Sequence, residues 1–263
     1  MIGQRCVQQQ IKAEIENRSL ARFIILVGDV GSGRKTLAKE IAKLTDSEYV
    51  VVDKGVDAVR EIIEQSYTVS ASVLYVLDGN SMSNASKSAI LKVTEEPPNK
   101  ARFVLIVTDL SDTLPTLVSR ARVFRMDNYT DADIAYFAGT EDTRFPNFCS
   151  NKLEVDLLKS YGIDEFTDFV NVVVDNISEV ESANSFKIED KIAFKDETDK
   201  YDVKIFLQAF RTVCMQRIQE SEDYWDKLKY IQRTSGEQTI VLPTAMEVAP
   251  DETRFTIDRI TML

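Results

Sequence analysis

Seven residues in one short stretch, Gly28, Gly31, Ser32, Gly33, Arg34, Lys35 and Thr36, have the types and spacing to hold a phosphate group. Closely spaced glycines let a loop turn sharply and bring its backbone N–H groups up to a ligand. When such a loop opens into a helix, the free amides and the helix dipole both favour an anion. The P-loop pattern G-x-x-x-x-G-K-[ST] wants Lys directly after the last glycine and a hydroxyl after that. Here those places hold Arg34 and Lys35, with Thr36 one position late. A planar guanidinium can meet a phosphate but does not reproduce a compact ammonium, and Lys35 cannot supply the hydroxyl that would hold Mg²⁺. Nucleotide could bind while hydrolysis is impaired, and a site that is weak or empty and catalytically poor is the expectation.

A second chemical position is Asp78, at the end of the apolar run Val73 to Leu77. A carboxylate at the tip of a strand beside a P-loop is placed to hold the nucleotide's Mg²⁺. The same residue could simply cap the following turn. The next position is Gly79, where an ATPase of this type needs a Glu to orient the attacking water; glycine has no proton acceptor to offer.

The elements that must position these groups follow from the apolar pattern. Phe23 to Val27 is an unbroken β-rich run bounded by glycine, as a strand buried on both faces requires. Thr36 to Ala42 then continues at helical spacing. Further apolar runs at Tyr49–Val52, Val73–Leu77, Phe103–Val107 and Val123–Met126 alternate with helical patterns: Val56, Val59, Ile62 and Ile63, then a helix capped by Ser83, faced by Ala85, Ala89, Ile90 and Val93, and stopped by Pro97-Pro98. Strand and helix in alternation predict a parallel α/β sheet. An amphipathic helix through Cys6, Val7, Ile11 and Ile15 should precede it.

Composition narrows the chemistry. The 263 residues carry a net charge of −11, 44% hydrophobic and 29% charged residues, the make-up of a globular protein that is not a general DNA binder. There is no histidine, which removes imidazole acid/base chemistry and His metal sites. Cys6, Cys149 and Cys214 are too few and too scattered for a disulfide framework or a zinc site. No signal-peptide pattern and no membrane-length apolar run is present, so a cytoplasmic protein without membrane contacts is expected.

Taken together, the stretches Ile2-Gly3-Gln4, the glycine loop, Leu74 to Asp78, and Ile90 to Pro98 with its Glu95-Glu96-Pro97-Pro98 ending resemble the AAA+ core of bacterial clamp-loader subunits of the DNA polymerase III gamma and delta-prime type, delta-prime most of all. The resemblance covers about the first half of the chain. It implies an AAA+ domain over 1–127, a helical lid over 128–181 and a collar-like helical domain over 182–263. It places Thr108 where the sensor 1 residue reads a γ-phosphate. Ser119-Arg120-Ala121 matches the family's Ser-Arg-Cys motif except for the Cys, and so implies that Arg120 acts in trans as an arginine finger on a neighbour's nucleotide; the plainer alternative is an ion pair with Asp109 or Asp112. Family geometry also points the N-terminus of the Ser83 helix, with Lys87, toward DNA phosphates; the plainer alternative is that Lys87 is a solvated surface lysine. No cysteine lies between Lys39 and Val73, so the zinc module many members carry there is absent.

The function the resemblance implies is a delta-prime-like subunit with a degraded ATP·Mg²⁺ site, working with other clamp-loader subunits in a ring that loads a sliding clamp on primed DNA. Alternatives are an active ATPase motor subunit and a nucleotide-independent scaffold. Gly79 counts against the first and the intact glycines against the second.

In the second half, Asp131–Phe137, Leu153–Ile163 and Phe166–Val180 read as helices, the last either finishing the lid or starting the next domain, and Ser182–Asp202 is rich in charge, a boundary or a solvated helix. Val203, Phe206, Leu207, Phe210, Val213 and Cys214 make a helical face, with Trp225, Leu228 and Ile231 following. The tail from Arg254 to Ile260 alternates weakly and suggests no function.

Overall fold

The computed structural model describes residues 2–53, 55–175, 192–193 and 200–220. The chain divides into two compact units, Met1–Thr130 and one that begins at Asp131.

In the first unit, α1 (Arg5–Glu16) leads to β1 (Phe23–Val27), and α2 (Arg34–Leu44), β2 (Glu48–Val51), α3 (Val56–Ser66), β3 (Val73–Asp78), α4 (Asn84–Glu95) and β4 (Ala101–Val107) follow. A single 3₁₀ turn (Leu110–Asp112), the short α5 (Pro115–Val118) and β5 (Arg122–Arg125) complete it. The five strands form one sheet in the order β2-β3-β4-β1-β5, and every pairing is parallel, as the alternation predicted.

The apolar run of β1 is explained by its central place. Phe23, Ile25 and Val27 enter one core with Val59 and Ile63 of α3, Ile90 and Val93 of α4, and Leu117 of α5. Ile24 and Leu26 enter the opposite core with Val7 and Ile11 of α1 and Leu37, Ala38 and Ile41 of α2. Side chains alternate across a strand, so a strand covered on both faces must be apolar at every position. All five β1 residues are buried, whereas the edge strand β2 leaves Val51 68% exposed. Register fixes the chemistry: Leu26 of β1 and Asp78 of β3 both pair with Ile106 of β4, so the β1 loop and Asp78 emerge at one carboxyl edge of the sheet. Ligands of open parallel sheets bind at that edge.

The second unit holds α6 (Asp131–Ala138), α7 (Arg144–Phe148), α8 (Lys152–Tyr161), α9 (Ile163–Asp175) and α10 (Val203–Glu220). Phe148, Tyr161, Phe166, Phe169, Tyr201, Phe206 and Phe210 form a run of ring contacts 5.0 to 6.2 Å apart. Such rings contribute both area and edge-to-face attraction. Lys204 of α10 pairs with the buried Glu154 of α8 at 2.8 Å. Burial pushes the Cys149 thiol up to about 12, so it behaves as a packed apolar group.

One division is found at 130/131, where boundaries at 127/128 and 181/182 were expected, and α10 packs on α7 and α9. Within the charged segment, β6 (Ile192–Ala193) pairs in parallel with β7 (Tyr201–Asp202), a contact its composition did not announce. Most of 182–202, the helix expected around Trp225, Leu228 and Ile231, and the tail from Arg254 lie outside the described residues.

Candidate nucleotide site

The loop after β1 has the shape a phosphate cradle needs. Gly31 and Gly33 sit at φ 88° and 90°, the left-handed region that disfavours side chains. Gly28 is required by space: a Cβ there would lie 2.7 Å from Met126 Cβ and 2.9 Å from Ser32 Oγ. Gly33 precedes α2 and offers no side chain to cap it.

Arg34, in the position of the P-loop lysine, is only 8% exposed, and its Nη1 has no hydrogen-bond partner. Burial lowers its pKa, against the attraction of Asp78 and then Asp29. Ser32 is 9% exposed and its Oγ is likewise unpartnered. Lys35 and Thr36 are exposed.

The loop is braced by two residues that the sequence reading did not assign to the site. Gln4, buried and left-handed at φ 55°, donates Nε2 to Asp127 O at 2.5 Å and to Ser32 O at 3.3 Å, and its Oε1 accepts from Asp127 N at 2.6 Å. Tyr129 Oη donates to the same Ser32 carbonyl at 3.1 Å. The Ile2-Gly3-Gln4 stretch carried the signal for the first; nothing in the sequence marked the second.

At the tip of β3, Asp78 Oδ1 accepts from Asn80 N at 3.2 Å, the turn-capping role foreseen as its alternative. Asn80 Oδ1 accepts from Thr108 N at 2.9 Å, and Thr108 Oγ1 donates to Asp112 Oδ2 at 2.6 Å. The Thr108 hydroxyl and the Asp109 amide hold the Asp112 carboxyl below the usual carboxylate range. Asp78 and Thr108, predicted as nucleotide-contacting groups, are thus joined through Asn80.

The fit to Mg²⁺ is poor. Lys35 stands where a hydroxyl ligand belongs, and Asp78 faces the charge of Arg34. The fit to a phosphate is better, because the buried donors of Arg34 and Ser32 await an acceptor. Gly79 is tightly packed: a Cβ would lie 2.6 Å from Val107 Cγ1, 3.1 Å from Leu105 Cδ1 and 3.2 Å from Ile106 O.

Ser83 caps α4 as expected, accepting from Ser86 N at 3.1 Å. Lys87 does not match its expected placement toward DNA. It is 7% exposed and its Nζ donates to Asp112 O, so its charge is desolvated and engaged within the fold. Lys87→Met is therefore expected to lower stability by about 1–3 kcal/mol, the range for a lost hydrogen bond to a charged group, as measured by urea unfolding. Unchanged stability, with a shallower salt dependence of DNA binding, would return Lys87 to the phosphate contacts.

Arg120 follows α5 and pairs with Glu95 Oε1 at 3.1 Å, while Nη1 donates to Thr116 O at 3.0 Å. The anticipated partners Asp109 and Asp112 instead close their own capping box around the 3₁₀ turn. The pair is open to solvent, with side chains 38% and 57% exposed.

A family model described as "DNA polymerase III, delta subunit" matches residues 44–130. The gamma subunit of Buchnera aphidicola subsp. Schizaphis graminum is 26% identical over 169 residues, 52% of this chain and 47% of that protein. The delta′ subunit of Escherichia coli K12 is 38% identical over 73 residues, 26% of this chain and 22% of that one. The chain thus spans about half the length, or less, of these curated relatives. Among solved structures, a gamma subunit-related protein of Thermotoga maritima superposes with a TM-score of 0.50 at 16% identity, covering 97% of this chain and 91% of its own. That likeness shows the fold, an α/β core built on a five-stranded parallel sheet.

Proposed function

We propose that this chain belongs to the clamp-loader AAA+ family and serves DNA replication as a clamp-loader subunit of delta-prime type, a reading supported by the match of residues 44–130 to the delta-subunit family model and by the gamma and delta′ relatives. Its partners are other clamp-loader subunits in a ring, a sliding clamp, and primed DNA reached through that ring. Its own ATP site is degraded, and Arg120 serves a neighbour's site in trans. Cytoplasmic placement goes with this role; among the described residues no helix is long and apolar enough to cross a membrane.

The observation that carries the reading is Gly79. The position of the water-activating acid lacks its carboxylate and is also packed against Val107, Leu105 and the Ile106 carbonyl, so a side chain there requires its neighbours to shift. Arg34 and Lys35 add an independent loss, that of the metal-holding hydroxyl. Efficient phosphoryl transfer depends on both a ligated metal and a placed nucleophile. The buried, unpartnered Arg34 and Ser32 favour a nucleotide-linked role over a bare scaffold.

Steady-state hydrolysis by the purified chain is expected to stay at background, because losing such groups costs orders of magnitude in rate. Robust turnover abolished by Asp78→Ala would replace this reading with that of a motor subunit. Co-purification with gamma- and delta-type subunits tests the partner assignment, and the absence of any assembly would reject it.

A further inference from the structure

The degraded site contains a feature that loss of function alone does not explain. A guanidinium buried to 8% exposure with an unpaired N–H is costly, since a desolvated charged donor forfeits its water and gains nothing in return. A second buried donor, Ser32 Oγ, is unpaired in the same loop, at the mouth of the 11-residue α2. Gln4 and Tyr129 both bond the Ser32 carbonyl, and Ser32 N donates to Asp29 O at 3.1 Å, which fixes the loop and leaves the Ser32 hydroxyl without a partner. The carboxylates acting on Arg34 are Asp78 at the β3 tip and Asp29 in the loop, so the guanidinium is within electrostatic reach of both.

Building on the proposed loss of hydrolysis at this site, we infer that the loop binds the diphosphate group of a nucleotide, or free diphosphate, without a divalent cation, with Arg34 and Ser32 as its side-chain donors. Arg34 takes over two tasks normally split between Lys and Mg²⁺. Its planar fork can donate to two phosphate oxygens at once, and its charge already answers Asp78. A triphosphate would bring one more anionic group toward Asp78 and Asp29 with no metal to screen it, so the site favours the diphosphate.

Calorimetric titration of the full chain with ADP, inorganic diphosphate and ATP, each in EDTA and in Mg²⁺, tests the inference. ADP is expected to bind no more tightly with Mg²⁺ than with EDTA, and about tenfold or more tightly than ATP in EDTA. Binding of inorganic diphosphate in EDTA shows that the diphosphate group suffices; binding of ADP alone assigns the source as a nucleotide. Arg34→Met is expected to weaken ADP binding by roughly ten- to a hundredfold, the worth of charge-assisted bonds. If that variant is unfolded by circular dichroism, Ser32→Ala serves, with a severalfold weakening expected. Silence with both diphosphates, binding that appears only with Mg²⁺, or ADP affinity unaltered in a folded variant overturns the inference. None of these results touches the role of Arg120, which acts on a different subunit's nucleotide.

Discussion

In a ring assembled with Arg120→Ala in this subunit alone, DNA-stimulated hydrolysis by the adjacent subunit is expected to fall by about 10³ to 10⁵, the range in which arginine fingers act. The motive is chemical. As the γ-phosphoryl group transfers, negative charge develops on its oxygens, and a guanidinium supplied from a neighbouring chain stabilises that charge without having to reorganise. Arg120 has the freedom this demands. Its partner Glu95 is 57% exposed, and solvent-exposed ion pairs are worth at most about 1 kcal/mol. A multiply charged phosphate can therefore win Arg120 from Glu95. If the pair were merely structural, Arg120→Ala would shift stability slightly and leave hydrolysis alone. Glu95→Gln separates the two further: it should leave hydrolysis intact, because it removes only the resting partner. Wild-type turnover in the Arg120→Ala ring, or a ring that fails to assemble, would remove Arg120 from the neighbour's site.

What could be read from the sequence was whatever depends on local pattern. The β1 run showed a strand covered on two faces, and its residues do alternate between two cores. The spacing of the glycines showed a loop opening into a helix, and Gly31 and Gly33 have the left-handed backbone that makes glycine necessary there. What could not be read depends on contacts between distant parts of the chain. Gln4 meets Asp127 across 123 positions and Tyr129 meets Ser32 across 97, and no periodicity reports such pairs. Lys87 is the sharper case. A lysine on the first turn of a capped helix looks like a surface charge, and only the fold reveals that the 3₁₀ turn presents the Asp112 carbonyl to it. Arg120 shows the same limit from the other side: carboxylates close in sequence looked like its partners, yet their side chains are used within their own turn, and Glu95 arrives from α4. The sequence reported that Gly79 lacks an acid, but not that it lacks room for one.

That lack of room leads to the second large effect. Gly79→Glu, the substitution that would seem to restore the missing acid, is expected to yield a less stable chain with no gain in ATP hydrolysis. Two of the three obstacles are side-chain carbons of Val107 and Leu105, both fully buried in the same core, and the third is the Ile106 carbonyl, which already accepts Gly79 N at 2.8 Å. Side-chain ends can move by a few tenths of an ångström; a carbonyl tied into the sheet moves only with its strand. Overpacking of this kind costs about 1–3 kcal/mol, so Gly79→Ala alone should lower the urea midpoint. Glu adds a carboxylate whose first carbons must cross an apolar surface before reaching solvent, so it should cost more than Ala. Even a folded variant would lack the hydroxyl that Lys35 displaces, and an acid with no metal-held phosphate to act on has nothing to accelerate. Urea unfolding and steady-state hydrolysis on Gly79→Ala and Gly79→Glu provide the measurement. Wild-type stability in both, with turnover appearing in Gly79→Glu, would show that β4 yields readily and that this site is one substitution from an active ATPase.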